Sequence, residues 1–300
     1  MPVVAVINRK GGSGKSTLAT HLAGYCAGEG RRVMLGDVDR QQSSLAWLRR
    51  RACEPLAEGA GILGWAVDPR SVMRPPAGVT HVVLDTPGGL RGFDLARVAM
   101  AADAILMPVC DAAFDRESAA ACHAELTTLP RVATGRCKVA MVGMRIDART
   151  KGATRLGAWA AELGVPYLGS VRESQLYVRS AEQGLTLFDL PPSKVEADLA
   201  QWRGIVDWLE RTWEEAERLS PKARPGAQAS AARSPPRPAA SLAGPPAGAP
   251  VRAVPIPAPE PALALATASS MESRPTLSRI VPPRPAARLG WLFNVFRSST

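Results

Sequence analysis

The sequence predicts an α/β protein with a doubly wound, mostly parallel sheet, followed by a disordered tail rich in proline, alanine and arginine. Three observations support this. Short apolar runs alternate with segments of helical spacing, a pattern typical of parallel sheets with right-handed crossovers. A glycine-rich loop follows the first apolar run, residues 3–7. The composition changes near residue 220, where the periodic apolar spacing ends.

The glycine-rich loop reads Lys10-Gly11-Gly12-Ser13-Gly14-Lys15-Ser16-Thr17 and precedes a segment of helical spacing. Glycines allow the sharp turn that presents N–H groups to phosphate oxygens, and the positive end of the helix dipole faces the same anion. Lys15 can reach the β- and γ-phosphates, and the Ser16 hydroxyl can ligate Mg²⁺. The strand–loop–helix order therefore predicts a P-loop NTPase architecture with nucleotide at residues 11–17.

Carboxylates end two further apolar runs. Residues 32–36 lead to Asp37-Val38-Asp39, with Gln41 shortly after, and residues 82–84 lead to Asp85 and a glycine turn. Because the carboxyl ends of parallel strands meet at one edge, we expect Gly11, Asp39 and Asp85 to converge there. Carboxylates beside a phosphate loop suit the handling of an attacking water or a magnesium shell.

The usual G-x-x-x-x-G-K-[ST] loop has glycine where this chain has Arg9, and here a second lysine, Lys10, opens the loop. This variant resembles the deviant Walker A loop of the ParA/MinD family of ATPases. The D-x-D-x-Q run and the strand ending at Asp85 are similar to the next two motifs of that family, although Arg40 stands where the family usually has proline. The resemblance covers residues 2–217, is looser after residue 110, and is closest to small, ParF-type partition proteins.

The resemblance implies an ATP-sandwich dimer in which Lys10 contacts the nucleotide of the other subunit. It implies that Lys10, Lys15 and Asp39 are catalytic, with Asp39 positioning the attacking water, and that Asp85 binds Mg²⁺ through water. The implied protein is a cytoplasmic, nucleoid-associated ATP hydrolase that segregates or positions a plasmid, a chromosome locus or a protein cargo. A ParB-like or other partner protein would stimulate it. ATP specificity rests on the resemblance alone, since the family's adenine-reading asparagine has no counterpart at residues 143–145.

Six basic residues lie late in the predicted domain, and two interpretations of them stay open. They could form a non-specific DNA face that binds phosphates through counterion release, or they could be ordinary solvated charge. Spacing favours solvated charge, whereas the resemblance favours DNA. The residues are Arg145, Arg149, Lys151, Arg155, Arg172 and Arg179.

The net charge of +10 is concentrated in residues 221–300, which hold ten Lys/Arg, two Glu and 16 of the 27 prolines. We expect an ATPase domain at 1–217, a disordered basic linker at 218–287 and a short amphipathic segment at 288–297. That segment would dock on a partner protein, or on an anionic membrane as in MinD proteins. The apolar side chains that would dock are Trp291, Leu292, Phe293 and Phe296.

Several function classes are disfavoured by the composition. The five cysteines include no C-x-x-C pair, so we expect buried, reduced thiols rather than an iron–sulfur carrier or metallochaperone, the less favoured alternative. A tyrosine-kinase branch is disfavoured because the tail has no tyrosine. The first strand begins directly after Met1 and no apolar run approaches ~20 residues, so we expect neither a signal peptide nor a membrane span.

Overall fold

The computed structural model describes residues 1–54, 61–67 and 75–219. The strands there are β1 (Val3–Val6), β2 (Val33–Asp37), β3 (Ile62–Ala66), β4 (His81–Asp85), β5 (Ala104–Val109), β6 (Lys138–Ile146) and β7 (Tyr167–Arg172). The helices are α1 (Lys15–Gly28), α2 (Ser43–Arg51), α3 (Gly92–Ala101), α4 (Ala113–Thr128), α5 (Pro130–Ala133), α6 (Gly152–Glu162), α7 (Gln175–Glu182) and α8 (Pro192–Leu219), with a 3-10 turn at Leu187–Asp189.

The seven described strands form one sheet in the order β3-β2-β4-β1-β5-β6-β7, and every neighbouring pair is parallel. Strand β1 lies between β4 and β5, and strand order reverses on its two sides. Ligands of doubly wound sheets bind at the carboxyl ends of the strands next to such a reversal. The predicted doubly wound α/β fold is confirmed.

Two apolar layers, one on each face, hold the sheet between helices. In β1 the side chains alternate, so that Val4 and Val6 join one layer while Ala5 and Ile7 join the other. The first layer includes buried residues of α1, α2, α7 and α8, and the second includes those of α3, α4 and α6. These three β1 side chains and that of Ile7, the next residue, are fully buried, so the segment that leads into the glycine loop is packed on both faces of the sheet.

Aromatic side chains fill the layer beneath α8. Trp202 and Trp213 are buried in this packing, and Trp208 packs partly buried against the same layer. His21 stacks on Trp202 at 5.3 Å, and burial lowers the pKa of His21 to about 4. The imidazole of His21 is therefore a neutral core side chain.

Element boundaries late in the domain differ by a few residues from those that the sequence predicts. The apolar residues at 165–169 predict a short strand or turn, and the strand there is β7, Tyr167–Arg172, which begins after Pro166 because proline has no N–H for the ladder. The segment that follows contains α7. The helical spacing at 195–219 predicts the last helix, which ends at Leu219 as expected and begins three residues earlier, at Pro192.

Two of the predicted segments lie outside the described residues. They are residues 220–287 of the predicted linker and the amphipathic segment 288–297. Among the described residues, no helix has both the length and the apolar character needed to span a membrane. Cys26, Cys122 and Cys137 are buried as expected, Cys110 is half-buried, and Cys53 is exposed, so the expectation of buried thiols is wrong for Cys53.

Candidate active site

A cavity of about 600 Å³ opens at the carboxyl edge of the sheet, where β1, β2 and β4 end side by side. Gly11 and Asp39 line it, and Asp85 is buried next to Thr86, a further lining residue. The predicted convergence of these three positions is thus observed. The complete lining is Gly11, Gly12, Gly14, Lys15, Ser16, Thr17, Asp39, Gln41, Ser43, Thr86, Pro87, Gly88 and Arg145.

The glycine loop has a backbone that other residues would adopt only with strain. Gly12 and Gly14 have φ values of 72° and 91°, in the left-handed region that favours glycine. A Cβ at Gly14 would lie 2.9 Å from Cε of Met144, the flexible end of that side chain, so the backbone conformation rather than the space is what favours glycine there. Gly14 is also the N-cap of α1, which places the N-terminus of that helix against the cavity. This is the arrangement that binds phosphate.

The two lysines of the loop occupy different positions. Lys15 is buried, and its Nζ donates to the carbonyl oxygen of Lys10 at 2.8 Å. Burial lowers the pKa of Lys15, while the nearby carboxylates of Asp85 and Asp39 act in the opposite direction. The side chain of Lys10 is 40% exposed, with its ammonium 3.6 Å from Asp115 of α4. Lys15 therefore lines the cavity, whereas Lys10 lies outside its lining and is held beside Asp115.

The two aspartates after β2 have different environments. Asp37 is buried, and its carboxylate accepts the backbone N–H groups of Asp39, Ser44 and Leu45 at 3.0–3.2 Å. Burial raises the pKa of Asp37, and these three donors oppose that shift. Asp39 is half-buried and lines the cavity, with Oδ1 accepting the N–H of Gln41 at 3.0 Å. Asp37 thus anchors the loop, and Asp39 is the carboxylate available to a ligand.

Of the two carboxylate oxygens of Asp85, one accepts a hydrogen bond and the other does not. Its Oδ2 accepts the hydroxyl of Ser44 at 2.5 Å, whereas its buried Oδ1 has no hydrogen-bond partner among the described residues. Burial raises the pKa of Asp85 to about 6, opposed chiefly by the hydroxyls of Ser44 and Ser16. The described residues contain no cluster of three or more His, Cys, Asp or Glu that could enclose a metal. One carboxylate and one hydroxyl fit Mg²⁺, which keeps several waters and shares phosphate oxygens.

The loop after Asp85 is fastened to the glycine loop. The hydroxyl of Thr86 donates to the carbonyl of Val6 at 2.7 Å, and the N–H of Gly89 donates to the carbonyl of Arg9 at 2.7 Å. Glu125 of α4 forms an ion pair with Arg9 and also accepts the N–H of Gly92, the first residue of α3. A change in one loop would therefore be transmitted to the other.

Comparison with known proteins identifies the family. The CobQ/CobB/MinD/ParA nucleotide-binding domain model matches residues 4–188, more than half of the chain. The chain belongs to the ParA/MinD family. It is a ParA/MinD-type ATPase.

Individual relatives agree with this assignment. The chain is 31% identical over 219 residues to the maintenance of carboxysome distribution protein A of Gloeobacter kilaueensis, covering 70% of this chain and 95% of the relative. The fold matches MinD of Aquifex aeolicus with a TM-score of 0.53 at 16% identity, covering 71% and 97% of the two chains. It matches a putative plasmid partition protein of Borrelia burgdorferi bound to AMPPNP with a TM-score of 0.52 at 14% identity, covering 70% and 99%.

The basic cluster is partly neutralised in this ParA/MinD domain. Three of its arginines have carboxylate partners: Arg149 pairs with Asp147, Arg155 with Asp111, and Arg172 with the buried Asp198 at 2.6 Å. Lys151 and Arg179 are exposed. The structure therefore does not bring the six residues together as one unpaired positive surface. Asp111 and Asp198 are distant in the sequence from the arginines they neutralise, whereas Asp147 lies two positions from Arg149.

Arg145 belongs beside the nucleotide cavity rather than to a separate face. Its guanidinium donates to the carbonyl of Gly12 at 2.7 Å, and its φ of 53° is in the left-handed region, uncommon outside glycine. It also lies 3.4 Å from the sulfur of Cys110. The sequence grouped Arg145 with the candidate DNA-binding residues, because the position of Arg145 in the chain does not show that β6 ends beside the glycine loop.

Sequence reasoning missed three residues that hold the site together, namely Ser44, Asp115 and Glu125. Ser44 lies 41 positions from its partner Asp85, and Glu125 lies 33 positions from Gly92. A short sequence motif cannot identify a contact between residues so far apart in the chain. For Ser44, a polar residue at the start of α2 directly after the D-x-D-x-Q run was the one available signal.

Proposed function

We propose that this protein is a Mg²⁺-dependent ATPase that dimerises when it binds ATP and segregates or positions a cargo. The observation that carries the proposal is the pair of lysines in one glycine loop. Lys15 is buried and lines the cavity, whereas Lys10 does not line it and is 40% exposed, with its ammonium beside Asp115. In a single subunit Lys15 can bind the phosphates of its own nucleotide, whereas Lys10 is suited to the nucleotide of a second subunit.

The chemistry follows from the placement of the side chains. The backbone N–H groups of the loop and the ammonium of Lys15 would neutralise the phosphate charge that develops during transfer to water. Ser16 and Asp85 would hold Mg²⁺, which supplies further charge neutralisation at the phosphates. Asp39, at the cavity wall, would orient the attacking water. Lys10 from a second subunit would complete the positive charge around the reacting phosphate.

Exposed aromatic side chains support a second copy at this edge. Phe93 is the second residue of α3, after the Asp85 loop, and Phe114 is the second residue of α4, beside Asp115, the partner of Lys10. They are 73% and 74% exposed. A dimer that covered them would remove apolar surface from water.

Lys10→Ala tests dimerisation directly. The variant should bind ATP with near wild-type affinity, because Lys15 and the loop amides remain, but it should stay monomeric with a non-hydrolysable ATP analogue. Light scattering after size-exclusion chromatography measures the mass. Lys194→Ala, at an exposed lysine of α8, is the matched control and should dimerise normally. A Lys10→Ala protein that dimerised as well as wild type would contradict the proposal.

Cargo positioning is supported by the relatives, whose names concern carboxysome distribution, cell division and plasmid partition. These names leave open whether the cargo is DNA or a protein assembly. We propose a cytoplasmic protein that binds nucleoid DNA as its track. A partner protein would stimulate hydrolysis and so release the dimer from that track.

DNA binding should be ATP-dependent, indifferent to sequence and strongly salt-dependent. We expect Lys151→Glu/Arg179→Glu to weaken it and, if each residue contacts one phosphate, to lower the slope of log affinity against log salt by about 2. Arg172→Glu is a poor probe, since it would leave Asp198 buried without its partner. Fluorescence anisotropy with a labelled duplex over a salt series gives the slope.

The control for DNA binding is Lys194→Glu/Arg211→Glu, which makes the same charge change at exposed positions of α8. That protein should keep the wild-type slope. Binding by wild type that ignored salt, or an unchanged slope in Lys151→Glu/Arg179→Glu, would remove this surface from the proposal.

A membrane track is the second candidate. The arginine-flanked apolar pattern at 288–297 favours it, because such segments bind anionic lipid when they fold as helices. Co-sedimentation with phosphatidylglycerol vesicles, compared between the full chain and one ending at residue 285, separates a membrane track from DNA. Deletion should leave the ATPase intact in either case.

A further inference from the structure

Ser44 links the two acidic loops of the site. It is fully buried at the second position of α2, and its hydroxyl donates to Oδ2 of Asp85 at 2.5 Å. Its backbone N–H donates to Oδ2 of Asp37 at 3.0 Å. One residue therefore bonds to the carboxylates that end two neighbouring strands, β2 and β4, where Asp37 and Asp85 are register partners.

The Ser44 contact determines how the carboxylate of Asp85 is used. A buried carboxylate has two acceptor oxygens, and the oxygen bonded to Ser44 cannot turn away without losing a buried hydrogen bond. The other oxygen, Oδ1, is buried and has no partner among the described residues. Fixing Oδ2 on Ser44 thus leaves Oδ1 as the oxygen that is free to accept a further hydrogen bond.

We propose that Ser44 is a positioning residue for magnesium, acting through Asp85. Its hydroxyl holds the carboxylate in the rotamer that presents Oδ1 to the water shell of the ion. The inference rests on the proposed function, since it requires a Mg²⁺–nucleotide complex in the cavity. Partners that hydrogen-bond a ligand carboxylate generally orient it, and their loss weakens metal binding by about 10- to 100-fold.

The side chain of Ser44 can be removed without removing its backbone contact. In Ser44→Ala the N–H still donates to Asp37, so the loop that carries Asp39 keeps its anchor. The variant deletes one oxygen atom and leaves the start of α2 otherwise unchanged. A change in magnesium requirement would therefore report the hydroxyl rather than collapse of the loop.

The experiment measures binding of a fluorescent ADP analogue, first in EDTA and then over a Mg²⁺ titration. In EDTA we expect Ser44→Ala to bind the analogue with wild-type affinity. In the titration we expect it to need about tenfold more Mg²⁺ to reach half of the full magnesium-dependent change in affinity. Ser44→Cys, which keeps the shape but donates weakly, should show a similar shift and serves if the alanine variant fails to fold. Thr212→Ala removes a buried hydroxyl from α8 and should behave as wild type.

A double-mutant cycle assigns the effect to Asp85. If Ser44 acts through that carboxylate, adding Ser44→Ala to Asp85→Asn should raise the magnesium requirement no further. A wild-type magnesium requirement in Ser44→Ala, or an equal loss of affinity with and without Mg²⁺, would overturn the role of Ser44. Wild-type protein whose nucleotide binding ignored Mg²⁺ would instead overturn the proposed function, and this inference with it.

Discussion

Lys15→Ala should raise the dissociation constant for ATP by ~10²-fold or more, removing measurable binding at micromolar nucleotide. The ammonium of Lys15 is buried at the cavity wall, where water cannot replace it. Hydrogen bonds to charged groups contribute roughly 1.5–3 kcal/mol each, and about 1.4 kcal/mol corresponds to tenfold in affinity. Two such bonds to phosphate oxygens account for the expected loss. Titration of a fluorescent ATP analogue measures it.

Lys194→Ala is the control for Lys15→Ala, because it removes a lysine from an exposed position of α8 and should bind ATP normally. Thermal unfolding without nucleotide checks that Lys15→Ala is folded. The variant loses the bond from Lys15 to the carbonyl of Lys10, so a modest fall in stability is expected. Wild-type affinity in a folded Lys15→Ala protein would show that nucleotide binds elsewhere.

Asp39→Ala should reduce ATP turnover by ~10²-fold while nucleotide binding survives, so that the ATP-bound dimer accumulates. Binding should survive because the loop that holds the phosphates does not depend on Asp39. Turnover should fall because an attacking water that is no longer correctly positioned reacts slower by that factor or more. Asp39 lines the cavity, and the recorded contact of its carboxylate is with the N–H of Gln41 in its own loop. Phosphate release gives turnover, and light scattering with ATP gives the dimer fraction.

Asp207→Ala, at an exposed aspartate of α8, is the control for charge loss and should turn over ATP normally. Asp37→Ala separates the two carboxylates after β2. It should destabilise the protein, because three backbone N–H groups, one of them the fully buried N–H of Ser44, would lose their acceptor. Unimpaired turnover in Asp39→Ala would move the catalytic role to another group.

The architecture was predictable because its signals are local. Buried parallel strands read as continuous apolar runs, such as residues 3–7, and they needed no knowledge of their neighbours. Boundaries failed where an element depends on its partner, as at β7. There the pairing with β6 shifts register at two places, between Met141 and Gly143 and between Met144 and Ile146. A local pattern holds no information on such a shift.

The three acidic residues of the site show what could be predicted from the sequence and what could not. Spacing after β2 identified Asp37 and Asp39 together, and only their surroundings distinguish an anchored carboxylate from one facing the cavity. Asp85 was identified because it ends a strand. The atom left without a partner, Oδ1, is known only from the contact with Ser44.

The sequence by itself determined the glycine loop, the order of three motifs along the chain and their meeting at one edge of a parallel sheet. These depend on residue type and on spacing of a few positions, where backbone geometry leaves little choice. The tertiary structure alone decided that Arg145 borders the nucleotide cavity, that Asp198 neutralises Arg172, and that Glu125 joins the two loops. Such contacts act over a few ångströms between residues dozens of positions apart, so they exist only once the core has packed.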